Sequence, residues 1–110
     1  MRHALIRALL LHFAERAGYT GPLRVTTRLE TFERVRRKRG YDGPANEHKD
    51  YASTLTGRPP VSWVNVARHR SLAELVNTTA HEAVHIADPA LAHGAEFDRR
   101  VRRLVRGGRL

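Results

Sequence analysis

The stretch from Ser71 to Pro89 leaves this chain the least freedom. Ser71-Leu72-Ala73-Glu74 has the Ser-x-x-Glu form of a capping box, in which the Ser side chain accepts a hydrogen bond from a backbone N–H of the first helical turn. Pro89 lacks the N–H needed to continue a helix and biases Asp88 away from helical angles. The spacing therefore predicts a helix from Ser71 to about Ala87. Leu72, Leu75, Val76, Thr79, Ala83, Ile86 and Ala87 gather on one side of it. The same geometry turns His81 and His85 to the opposite side, with Glu82 between the two faces. Imidazoles kept out of the core stripe belong to a cleft wall.

Composition narrows what that cleft can hold. A chain of 110 residues, 41% of them hydrophobic, suits a single domain over residues 1–110 with a modest core. It has no Cys, so neither a disulfide nor a Cys-based zinc site can staple it, and any metal must be held by His and carboxylates. Lys and Arg total 20 against 11 Asp and Glu, a formal charge of +9 that favours a polyanionic partner such as DNA, or serves solubility. The densest charge run makes Arg34, Arg36, Arg37, Lys38 and Arg39 candidate nucleic-acid contacts, against the plainer reading of a solvated face. Near the N-terminus, Arg7, His12 and Glu15 interrupt the apolar run, and no cleavage site of the usual form follows. No apolar stretch is long enough to cross a bilayer. The expectation is a cytoplasmic protein with no signal peptide and no membrane segment.

The remaining elements follow from periodicity and turn residues. Arg2 to Ala17 reads as a helix with Leu5, Ile6, Leu9, Leu10, Phe13 and Ala17 on its apolar face, ended by Gly18. Leu23 to Leu29 alternates and reads as a strand. Thr31 to Arg39 is ambiguous, because Leu29, Phe32 and Val35 recur at helical spacing over a short length. Gly40 to Asp50 reads as a loop. Tyr51 to Thr56 and Val61 to Ala67 read as strands around the turn Gly57-Arg58-Pro59-Pro60, giving a sheet of about three strands. Phe97, Val101, Leu104 and Val105 mark the stripe of a final helix, which Gly107-Gly108 ends. The expected fold class is α+β.

His81-Glu82-Ala83-Val84-His85 is an HExxH arrangement, in which the two His bind zinc and the Glu is the general base. Catalytic zinc takes three protein ligands and keeps a fourth position for water. A reversal of the chain at Pro89 brings His93 back over the first pair. Glu96, one turn further on, is the alternative third ligand, with Asp88 near in sequence and His69 and His48 more remote. Zinc lowers the pKa of the water it binds, Glu82 takes the proton, and attack on a polarised carbonyl hydrolyses the peptide bond without a covalent intermediate. The strand Val61 to Ala67 can hold an extended substrate if it lies at the sheet edge facing the cleft.

Taken in order, the strand Val61 to Ala67, the capped helix with His81, Glu82 and His85, and then His93-Gly94-Ala95-Glu96-Phe97 resemble the SprT-like zinc metallopeptidases. That family pairs an HExxH helix with a His-Gly-x-x-Phe segment. The resemblance implies that His93 is the third ligand, that Gly94 and Phe97 are structural partners, and that the fold is a minimal zincin. It covers Val61 to Val105 well, and the N-terminal half only by a compatible order of helix and strand. The absence of Cys leaves no zinc ribbon, so the resemblance is to a compact phage or bacterial type. It further implies protein substrates associated with DNA. Two other classes remain open: a small basic nucleic-acid-binding module with structural His, and a zinc protein without peptidase activity.

Overall fold

The computed structural model describes residues 2–41 and 51–110. The elements run α1 (Arg2–Arg16), β1 (Arg24–Thr26), α2 (Leu29–Lys38), β2 (Ala52–Leu55), β3 (Val61–Val64), α3 (Leu72–Ala87) and α4 (Ala95–Val105), with a 3-10 turn at Val66–Arg68. Among the described residues this is an α+β fold with four helices and a three-stranded mixed sheet. Of the expected loop Gly40 to Asp50, residues 42–50, with His48 among them, lie outside the described residues.

Strand β3 is the middle of the sheet. It pairs parallel with β1 and antiparallel with β2, with Thr54 opposite Ser62 and Leu55 opposite Val61. Side chains alternate across a strand, so β3 serves two cores. Val61 and Trp63 join Leu55 and Phe32 of α2, the Phe32 and Trp63 rings lying 6.1 Å apart. Val64 faces the other way, onto Ile6 of α1 and Leu75 of α3. All four residues of β3 are buried, and its Val and Trp content reflects burial on both faces. A third cluster unites Leu10 and Phe13 of α1, Ala83 and Val84 of α3, and Phe97 and Leu104 of α4.

Several expected boundaries move, each for a local reason. The strand predicted over Leu23 to Leu29 stops at Thr26, whose Oγ1 accepts from the Arg28 backbone N at 3.1 Å. That turn starts α2 and resolves the ambiguous stretch as helix, with Leu29, Phe32 and Val35 settled on the sheet. The strand predicted over Val61 to Ala67 ends at Val64 because Asn65 turns the chain. The Asn65 carbonyl accepts from the Arg68 backbone N and sits 2.7 Å from His69 Nδ1. Leu5, Leu72 and Val105, placed on apolar stripes by spacing, are exposed. Leu5 and Val105 lie at the edges of their stripes, and Leu72 is the first residue of its helix. No described helix is long and apolar enough to cross a membrane.

Candidate metal centre

The site is built on α3. Ser71 caps the helix, its Oγ accepting from the Glu74 backbone N at 3.2 Å. Glu74 Oε2 accepts from the Arg70 N, one residue earlier than a standard capping box would place the bond. At the other end Asp88 closes α3, and the chain turns back so that His93 arrives just before Gly94, the N-cap of α4. Gly94 has φ of +157°, and nothing lies within 4 Å of where a Cβ would sit. Backbone conformation, rather than close approach of a neighbouring chain, therefore demands the glycine.

The turn brings the three predicted imidazoles together. One ligand atom from each of His81, His85 and His93 lies within 4.8 Å of the others, and the Nε2 atoms of His85 and His93 are 3.0 Å apart. Three nitrogens about 2.1 Å from a common zinc ion lie ~3.4 Å from one another, so the donor set suits such an ion in type, and small side-chain shifts would bring the three to that spacing. Phe97 floors the cluster, its ring centroid 4.6 Å from those of His81 and His85 and 5.0 Å from that of His93. Burial lowers the pKa of His81, with the neighbouring His93 adding to it. Burial pushes His85 down to about 4, helped by His81 and His93. Both rings are thus neutral at neutral pH, the form that offers a lone pair to a cation.

Glu82 is buried beside them, 4% exposed. Its Oε2 is 3.9 Å from His81 Nε2, and its Oε1 accepts from Thr54 Oγ1 at 2.8 Å. A cleft of about 390 Å³ opens at this point, lined by His81, Glu82, Asn77, Thr78, Glu74 and Tyr51. The expectation that β3 offers its edge to a substrate is corrected: β1 and β2 occupy both of its edges. The terminal strand at the cleft is β2, whose Ala52 also lines it.

The other candidates have different partners. Glu96 Oε1 accepts from Arg100 Nε at 2.9 Å, and Arg99 holds its second oxygen. These guanidiniums, Arg100 foremost, keep its carboxyl below the usual range. Asp88 pairs with Arg100 at 3.0 Å. His69 is buried, its ring nitrogens 2.7 Å from the Asn65 carbonyl and 2.7 Å from Thr78 Oγ1, and so joins the 3-10 turn to α3. The basic run divides. Arg34, Arg37 and Lys38 are exposed, whereas Arg36 bridges to Glu33 at 2.9 Å and Arg39 donates to the Pro59 carbonyl at 2.6 Å. Arg24 and Arg58 join Arg34, Lys38 and Arg39 around a groove of about 510 Å³, a grouping that spacing along the chain did not reveal. Thr54 and Ser62 also belong to the site, and their only mark in the sequence is a hydroxyl at matching positions of paired strands.

No protein-family model, curated protein or solved structure matches this chain.

Proposed function

We propose that this protein is a zinc-dependent metallopeptidase of the SprT-like kind, with His81, His85 and His93 as ligands and Glu82 as general base. One observation carries the reading: three imidazoles, two of them neutral at neutral pH through burial, converge next to a buried carboxylate at the mouth of a cleft. A bound zinc ion would supply Lewis acidity toward a peptide carbonyl and acidify water there. Glu82 Oε2 then takes one proton as the water oxygen adds to the carbonyl carbon. It delivers that proton to the departing amine nitrogen as the C–N bond breaks. The Phe97 floor excludes water from below the imidazoles, and the outer edge of β2 offers main-chain groups to an extended peptide.

The groove of Arg24, Arg34, Lys38, Arg39 and Arg58 supports an extension to DNA-associated protein substrates through phosphate contacts. A cytoplasmic setting belongs to the same proposal and agrees with the Cys-free sequence.

The test combines metal analysis of the purified protein with peptidase assays of Glu82→Gln. The expected result is stoichiometric zinc in both proteins and a loss of turnover in the variant of about 10²–10⁴-fold. Unchanged turnover removes Glu82 as the base. Stoichiometric zinc in a wild-type protein inert toward peptides favours a zinc protein without peptidase activity. A protein that takes up no metal and binds DNA regardless of chelator is instead a basic module with structural His.

A further inference from the structure

Ser62 is fully buried at the centre of the sheet, between Val61 and Trp63. A hydroxyl there is costly unless it is paired. Its partner is Thr54, directly opposite on β2, with the two side-chain oxygens 2.6 Å apart. Cross-strand partners share a face of the sheet, and Ser62 and Thr54 share the one turned toward α3. Thr54 Oγ1 donates to Glu82 Oε1 at 2.8 Å. Thr carries one hydroxyl proton, which goes to the carboxylate, so Ser62 donates its own proton to Thr54. The chain of donors runs Ser62 to Thr54 to Glu82.

We infer that Thr54, backed by Ser62, is a positioning residue for Glu82. The α3 backbone fixes only the Cα of Glu82, and three side-chain torsions separate that atom from the carboxylate oxygens. Thr54 holds Oε1, which leaves Oε2 turned toward the imidazoles, 3.9 Å from His81 Nε2. A base held in one orientation reacts more often than one that samples several. The hydroxyl pair is therefore a device by which the sheet aims a side chain of the helix. The catalytic consequence rests on the peptidase reading, whereas the contact itself does not.

The full-length protein tests both. In a urea double-mutant cycle, Thr54→Val and Glu82→Ala should be coupled by about tenfold in the unfolding constant. Additivity within about twofold overturns the inference whatever the activity. In peptide hydrolysis, Thr54→Val should lower kcat about tenfold with KM and metal content unchanged, and Thr54→Ser should restore most of it. An unchanged kcat in Thr54→Val also overturns the inference. Should Thr54→Val fail to fold, Ser62→Ala replaces it in both measurements. It should show a smaller effect in the same direction, and additivity with Glu82→Ala together with a wild-type kcat overturns the inference. A coupled cycle in a protein inert toward peptides sinks the peptidase reading and leaves the positioning of Glu82 in place.

Discussion

Arg100 of α4 reaches back to Asp88, the residue that closes α3, with Nη1 3.0 Å from Oδ2. Its Nε donates to Glu96 Oε1 at 2.9 Å, so one guanidinium fastens both ends of the turn that carries His93. Arg100→Ala should therefore weaken metal binding on the order of tenfold, as loss of a residue that orients a ligand does. Arg100→Lys should not restore it, because a single ammonium cannot reproduce the fork. Competition with a chromophoric chelator measures this, and wild-type affinity in Arg100→Ala would show that the clamp has no bearing on the site.

His93 is the expected third ligand and Glu96 its alternative; in the fold His93 lies beside His85, whereas Glu96 is held by Arg99 and Arg100. His93→Ala should drop metal content well below one ion per chain, whereas Glu96→Gln should retain it. Elemental analysis after dialysis distinguishes the two. Retention by His93→Ala together with loss by Glu96→Gln would exchange the assignments.

Phe97 is fully buried and belongs both to the helical core and to the floor of the site. Phe97→Ala should cost about 3–5 kcal/mol of stability, and Phe97→Leu about 1 kcal/mol. Urea midpoints give both values. The Leu variant should still weaken metal binding, since an aliphatic side chain leaves the imidazoles less firmly packed.

Acid should destabilise the metal-free protein in a defined window. In the unfolded chain His81 and His85 titrate near ~6.5, whereas in the fold both are lowered and His85 reaches about 4. Between those values the unfolded chain binds more protons, so stability falls as pH falls. The contribution is fully present above about pH 6.5 and is lost on the way down to about pH 4. Its size is on the order of 1–2 kcal/mol after a discount for partial exposure. Urea midpoints across this range should show the slope, and His85→Ala should flatten it. An equal slope in that variant would place the acid sensitivity elsewhere.

Much of the frame was legible because its signals are local. Ser71 and Pro89 delimit α3 by hydrogen-bonding chemistry within a few residues, and the structure keeps those limits. Less legible was the stretch from Leu23 to Arg39. Strand alternation and helical spacing overlap at Leu29, and the turn at Thr26 and Arg28 decides between them. The edge expected of Val61 to Ala67 failed because strand order is a property of the whole sheet. The basic run looked uniform in sequence, yet Arg36 and Arg39 are drawn to Glu33 and Pro59 by folding.

The sequence by itself determined that His81 and His85 stand one helical turn apart on a capped helix, with Glu82 next to them. A helix repeats every few residues, so spacing alone sets which side chains meet. Only the tertiary structure shows that His93 lies beside His81 and His85 while Glu96 turns to Arg99 and Arg100, and that Glu82 bonds Thr54, 28 residues away. Those contacts depend on the register of β2 against β3 and on how α4 packs back on α3. Trp63 and Phe97 are buried in two of the cores, and which elements meet across such cores depends on burial between distant segments rather than on spacing along the chain.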